Sequence, residues 1–179
     1  MQTLFKLFFM IAILNKGPQD VPYSRFLLVS LLIIMFVTDL LQTQIPSVAP
    51  DGEVNLIRVA VFFVFASVVY YGVVYVLMRS HGFASRAVQT ITALVGVELV
   101  IKIVQIPLLL LVMMAGKNQG AVLLLYLLFL MTIGWGLVAN VHIFRHALSI
   151  SALRASVITL ALFSMVLFMN VRFDPVGGG

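Results

Sequence analysis

The chain has 179 residues, of which 63% are hydrophobic and only 9% charged; soluble domains run to about 45–50% and about 25%, so a soluble globular domain is excluded and the composition describes an integral membrane protein. The net charge of +5 is spread without a basic run able to neutralise several phosphates, which argues against nucleic-acid binding. The chain contains no cysteine, so disulfides, thiolate metal sites and cysteine nucleophiles are excluded.

The first segment, "MQTLFKLFFMIAILNKGPQD", has an apolar run from Leu7 to Leu14 that is too short to span a bilayer. With Gln2, Thr3 and Lys6 as a narrow polar face, it predicts an interfacial helix over residues 2–15. "NKGPQDVPYS" interrupts it: Gly17, Pro18 and Pro22 oppose helix continuation, and Ser24 can cap the next helix. Five spans follow, at about 24–41, 54–78, 87–115, 121–143 and 155–171. They are separated by "QTQIPSVAPDGEVN", "RSHGFASR", "GKNQG" and "RHALSISALR", the last with some helical character. The expected fold is all-α, a polytopic membrane helical bundle of five transmembrane helices plus the short N-terminal interfacial helix. It forms a single transmembrane domain over 1–175, with 176–179 ("VGGG") as a tail or cloning scar outside the fold.

Charge sets the expected orientation. Lys6, Lys16, Arg25, Arg79, Arg86, Arg145 and Arg154 fall on one side of the spans. Arg58, Lys117 and Arg172 fall on the other, with Asp39, Asp51, Glu53 and Asp174. Cytoplasmic loops are enriched in Lys and Arg, so the N-terminus is expected in the cytoplasm and the C-terminus in the periplasm.

"VGVELVIKIVQIP" carries Glu98 and Lys102 inside span 3. At a spacing of four they share a helix face. An ionised group at mid-membrane costs ~2.5–3.5 kcal/mol, so the pair is expected as an intramembrane ion pair holding helices in register. A proton or ion path and a partner contact are the functional alternatives. Pro107 removes the donor to the Ile103 carbonyl and predicts a helix kink. Asp39 and Arg58 flank the outer loop between spans 1 and 2 and form a candidate outer salt bridge, or two snorkelling groups.

Gly134, Trp135 and Gly136 form a "GWG" suited to close helix packing in lipid. His142 and His146 are four apart, with His81 in a loop, but no cysteine or adjoining acid completes a metal site; no metal and no cofactor is expected. Tyr70, Tyr71 and Tyr75 read as packing or lipid contacts, and Asn140 and Asn170 as interhelical or capping groups. Nucleophile-elbow, phosphate-loop and dinucleotide motifs are missing, and no two convergent catalytic groups stand out, so no enzyme is expected.

Two stretches, "GWGLVANVHIFRHALSISALRAS" and "ALVGVELVIKIVQIPLLLLVMM", resemble the fourth and third spans of the YIP (Ypt-interacting protein) family, small five-span membrane proteins. The likeness covers roughly residues 87–171 and implies five spans, a cytoplasmic N-terminus and, for a bacterial-type member, the inner membrane. The first functional expectation is a non-enzymatic protein that binds or organises other membrane proteins, or itself as a homo-oligomer, through helix faces in the lipid bilayer. The alternative is a small transporter or channel subunit using Glu98 and Lys102. A transporter needs a polar lining shared by several helices, and span 3 alone offers mid-membrane charge, which favours the first.

Overall fold

The computed structural model describes residues 4–44 and 55–173. The expectations for Gln2, Thr3, Asp51, Glu53, Asp174 and the 176–179 tail lie outside the described residues. The described chain is an all-α bundle of six helices: α1 (Leu4–Ala12), α2 (Arg25–Thr43), α3 (Leu56–Ser80), α4 (Ala87–Ala115), α5 (Gln119–Leu148) and α6 (Ala152–Phe173). Helices α2 to α6 are each long and apolar enough to cross a membrane. Their outward faces are apolar, with Phe26, Ile57, Met114 and Val171 almost fully exposed. Apolar side chains on that scale outside a bundle need lipid around them, and the protein is an integral membrane protein.

Local chemistry sets the helix ends. Ser24 caps α2 by accepting from the Leu27 N–H at 3.1 Å, as the sequence predicts. Asn55 caps α3 through the Arg58 N–H and Asn118 caps α5 through the Ala121 N–H, at 3.0 and 3.2 Å. Each side-chain oxygen satisfies one of the orphan amides of a first turn. At the end of α4, Gly116 takes a positive φ of 55° that glycine tolerates without strain. Helix α5 runs to Leu148, five residues past the expected end of span 4. Phe144, Ala147 and Leu148 continue its buried face, while Arg145 and His146 point outward. Charge on one face does not end a helix whose other face is still packed.

Helix α4 is the hub, packing against α1, α2, α3 and α5. Its residues 90–97 are buried without interruption. Helix α2 packs more extensively on α4 than on its sequence neighbour α3. The two run parallel. Gln89, early in α4, donates to the Val21 carbonyl just before α2 at 2.8 Å. Lys102, thirteen residues further along α4, meets Asp39, eighteen residues beyond Val21.

Helix α1 is short, and it is built into the core. Leu7, Phe8, Ile11 and Ala12 are buried against α4 and α5. The Ala12 carbonyl, which has no partner within its own helix, accepts from Trp135 Nε1 at 2.7 Å. His142 Nε2 donates to the Lys16 carbonyl at 3.0 Å, which requires its proton on Nε2. Phe8 lies directly on Gly96 of α4, where a Cβ would fall inside its ring. Gly96→Ala is therefore expected to lift α1 and cost about 1–3 kcal/mol, the usual range for overpacking. Adding Phe8→Leu should recover most of the loss. Thermal unfolding in detergent checks both; an unchanged Gly96→Ala midpoint contradicts the docking.

Candidate functional site

Helices α2 to α6 enclose a cavity of about 360 Å³. Each contributes a stripe of residues at helical spacing. From α4 come Glu98, Ile101, Lys102 and Gln105; from α2, Met35 and Asp39. Helix α3 supplies Phe62, Phe63, Ser67, Tyr70 and Tyr71; α5 supplies Thr132, Gly136 and Asn140; α6 supplies Thr159, Phe163 and Asn170. Polar groups from all five spanning helices thus face one space inside the bundle.

The Lys102 ammonium is the best-held group in it. Nζ donates to Asp39 Oδ1 at 2.5 Å and to Gln42 Oε1 at 3.3 Å. Both partners of the ion pair are largely buried, at 10% and 14% side-chain exposure. The contact is a correction to the expected pairing. Lys102 turns to α2 and makes no salt bridge with Glu98, although the two share a face of α4. The i,i+4 spacing brings two side chains to one face, but it does not outbid a carboxylate that a parallel helix presents at the same depth. The expected Asp39–Arg58 bridge is corrected by the same geometry: Asp39 is taken by Lys102, and an Arg58 guanidinium N–H donates to the Phe173 carbonyl at 3.0 Å. That expectation assumed that α2 and α3, being consecutive, are also the closest partners.

Glu98 stands in the interior of α4, yet it is exposed, because its side chain opens into the cavity. Among the described residues no hydrogen bond or salt bridge holds it. Its charged neighbours are Lys102 on its own helix and Asp39 on α2. Across the cavity Gln105 Nε2 donates to Thr132 Oγ1 at 2.9 Å, tying α4 to α5. The Thr159 hydroxyl is buried with no hydrogen-bond partner among the described residues.

The other predicted residues distribute unevenly. Gly136 permits a close α4–α5 approach, since a Cβ there would lie 3.2 Å from Ile101 Cδ1. At Gly134 a Cβ would meet nothing within 4 Å, so it is not part of that packing. Trp135 binds α1 instead of lining the cavity. Helix α4 continues as one helix through Pro107, which is exposed and outside the cavity. The His142 and His146 ring centroids lie 4.4 Å apart with their planes tilted by 58°, and His146 borders a second cavity of about 310 Å³ near Arg86 and Gln89. Among the described residues no group of three His, Cys, Asp or Glu side chains comes together. Gln42, Ser67, Gln105, Thr132 and Thr159 were not singled out in the sequence. The signal was a polar residue returning to one helix face: Glu98, Lys102 and Gln105 along α4, Thr132 and Asn140 eight apart on α5, and Thr159 and Asn170 eleven apart on α6.

No protein-family model, curated protein or solved structure matches the chain.

Asp39→Asn should destabilise by about 3 kcal/mol, because it strands the Lys102 charge. The double change Asp39→Asn with Lys102→Gln should recover most of that. Double-mutant analysis of thermal unfolding in lipid nanodiscs measures it; additive losses contradict a coupled pair.

Proposed function

We propose that the chain is a non-enzymatic small transporter or channel subunit that takes its solute into the cavity between α2 and α6. One observation carries the reading: a polar lining shared by all five spanning helices, with Glu98 open to it. Ionisable groups inside a membrane bundle are costly and mark solute or ion pathways. The sequence favours a protein that organises others through its helix faces because span 3 is the only span with mid-membrane charge. The cavity supports the alternative, since it gathers Ser67, Thr132, Asn140 and Thr159 around that charge. The excess of basic residues on one side supports a cytoplasmic N-terminus, and the likeness to YIP-family spans supports a bacterial inner membrane.

Currents across proteoliposomes on a solid-supported membrane test this, with rapid exchange among organic cations, inorganic cations, anions and neutral sugars. A saturable, protein-dependent charge movement is expected for at least one class, falling at least tenfold in Glu98→Gln as the intramembrane charge is removed. Identical traces for wild type, Glu98→Gln and empty liposomes across the panel contradict the reading.

A further inference from the structure

The walls of the cavity narrow the class of solute, and this step rests on the transport reading above. Three side chains that carry charge at neutral pH, of mixed sign, sit in the lining: Asp39, Glu98 and Lys102. The ammonium of Lys102 is already held by Asp39, with Gln42 as a second acceptor. Glu98 is left as the uncompensated group. An isolated carboxylate at that depth is expensive, so the carboxyl carries either a proton or a bound cation.

The opposite wall says which cation. Tyr70 and Tyr71 of α3 line the same cavity as Glu98. Their rings meet edge to face at 5.1 Å and 88°. Phe63 of α3 and Phe163 of α6 extend the aromatic lining. Ring faces attract cations, most strongly where water is excluded, and such walls suit ammonium groups bearing carbon substituents. A hard metal ion asks instead for six or more oxygen ligands, and the described residues gather no cluster of acidic or imidazole ligands. The volume of about 360 Å³ lies at the lower end for small-molecule pockets, roughly 300–1,000 Å³. On α6 the Thr159 hydroxyl, without a partner among the described residues, lines the same space.

We propose that the cavity binds a small apolar organic cation, with Glu98 as its counter-ion and Tyr70, Tyr71 and Phe163 as its aromatic wall. Proton and cation compete for the same carboxyl, so binding weakens as pH falls. The titratable groups facing Glu98 are Asp39 from α2, Tyr70 and Tyr71 from α3 and Lys102 from α4; α5 and α6 contribute the uncharged Thr132, Asn140, Thr159 and Asn170.

Equilibrium binding of radiolabelled benzyltrimethylammonium to the full chain in nanodiscs tests this. Saturable binding is expected, uncompeted by sodium, magnesium or the neutral isostere neopentylbenzene. Glu98→Gln should weaken it at least tenfold, and Tyr70→Leu about tenfold, the scale of a desolvated cation–π contact. Lys102→Gln should tighten it, because it removes the one positive charge while Asp39 stays. A gain of affinity cannot arise from misfolding. Equal binding by wild type and Glu98→Gln overturns the proposal, and so does weaker binding by Lys102→Gln in a chain that keeps the wild-type unfolding transition. The two readings fail separately. Glu98-dependent currents carried by an inorganic ion or an anion, without binding of the probe, overturn this inference and leave a transporter. Glu98-dependent binding with no currents leaves the cation site and removes transport.

Discussion

A lysine in the middle of a 29-residue apolar helix has to be neutralised, and the way Lys102 is neutralised organises the rest of the bundle. Its partner is Asp39, which lies on a helix that starts on the same side of the membrane and runs parallel to α4. The ion pair therefore staples α2 to the central helix. Apart from that pair, α2 is held by half-buried apolar contacts of Leu28, Leu31, Leu32 and Met35 with the core, and Thr43 is its one buried residue. In lipid, apolar faces gain little by leaving the acyl chains for one another, so polar contacts and close packing must decide where a helix sits. The Lys102–Asp39 contact supplies the first and the α4–α5 approach at Gly136 the second.

The same pairing has a chemical consequence. By occupying the only ammonium among the described residues of the cavity, Asp39 leaves Glu98 without a fixed counter-charge. The helix turn that separates Glu98 from Lys102 thus divides a structural ion pair from an open carboxyl. Around that carboxyl, α3 sets aromatic rings and α5 and α6 set hydroxyls and amides. A paired charge and an open carboxyl share one face of one helix, so the helix that positions one necessarily positions the other.

Much of the fold was legible in the sequence because span length and apolar composition are properties of single segments. The third span was read at its observed limits, 87–115, since Arg86 and Gly116 bound it. The pairings were less legible because they depend on which helices touch. Asp39 was matched with Arg58 across a hairpin and Glu98 with Lys102 along a helix, both from proximity in sequence. The observed partner of Lys102 lies 63 residues away, and only the parallel packing of α2 on α4 brings it there. The cavity was hidden for a related reason. Thr132, Asn140, Thr159 and Ser67 each look like a stray polar residue when its span is read alone. Read at helical spacing, Thr132 with Asn140 and Thr159 with Asn170 already mark one face of α5 and one of α6.

The natural absence of cysteine opens a direct test of the central claim, that polar stripes from several helices converge on a cavity reachable from water. Single cysteines introduced by Ser67→Cys, Glu98→Cys and Asn140→Cys would be labelled with a water-soluble methanethiosulfonate in intact membrane vesicles. Val61→Cys and Leu124→Cys, on apolar faces that are 64% and 62–58% exposed at positions 61 and 123–124, serve as lipid-facing controls. Thiolates form only where water reaches, so the account predicts labelling at 67, 98 and 140 at least tenfold faster than at 61 and 124 for that reason. Equal rates at all five positions, or protection of 98 and 140, would contradict it.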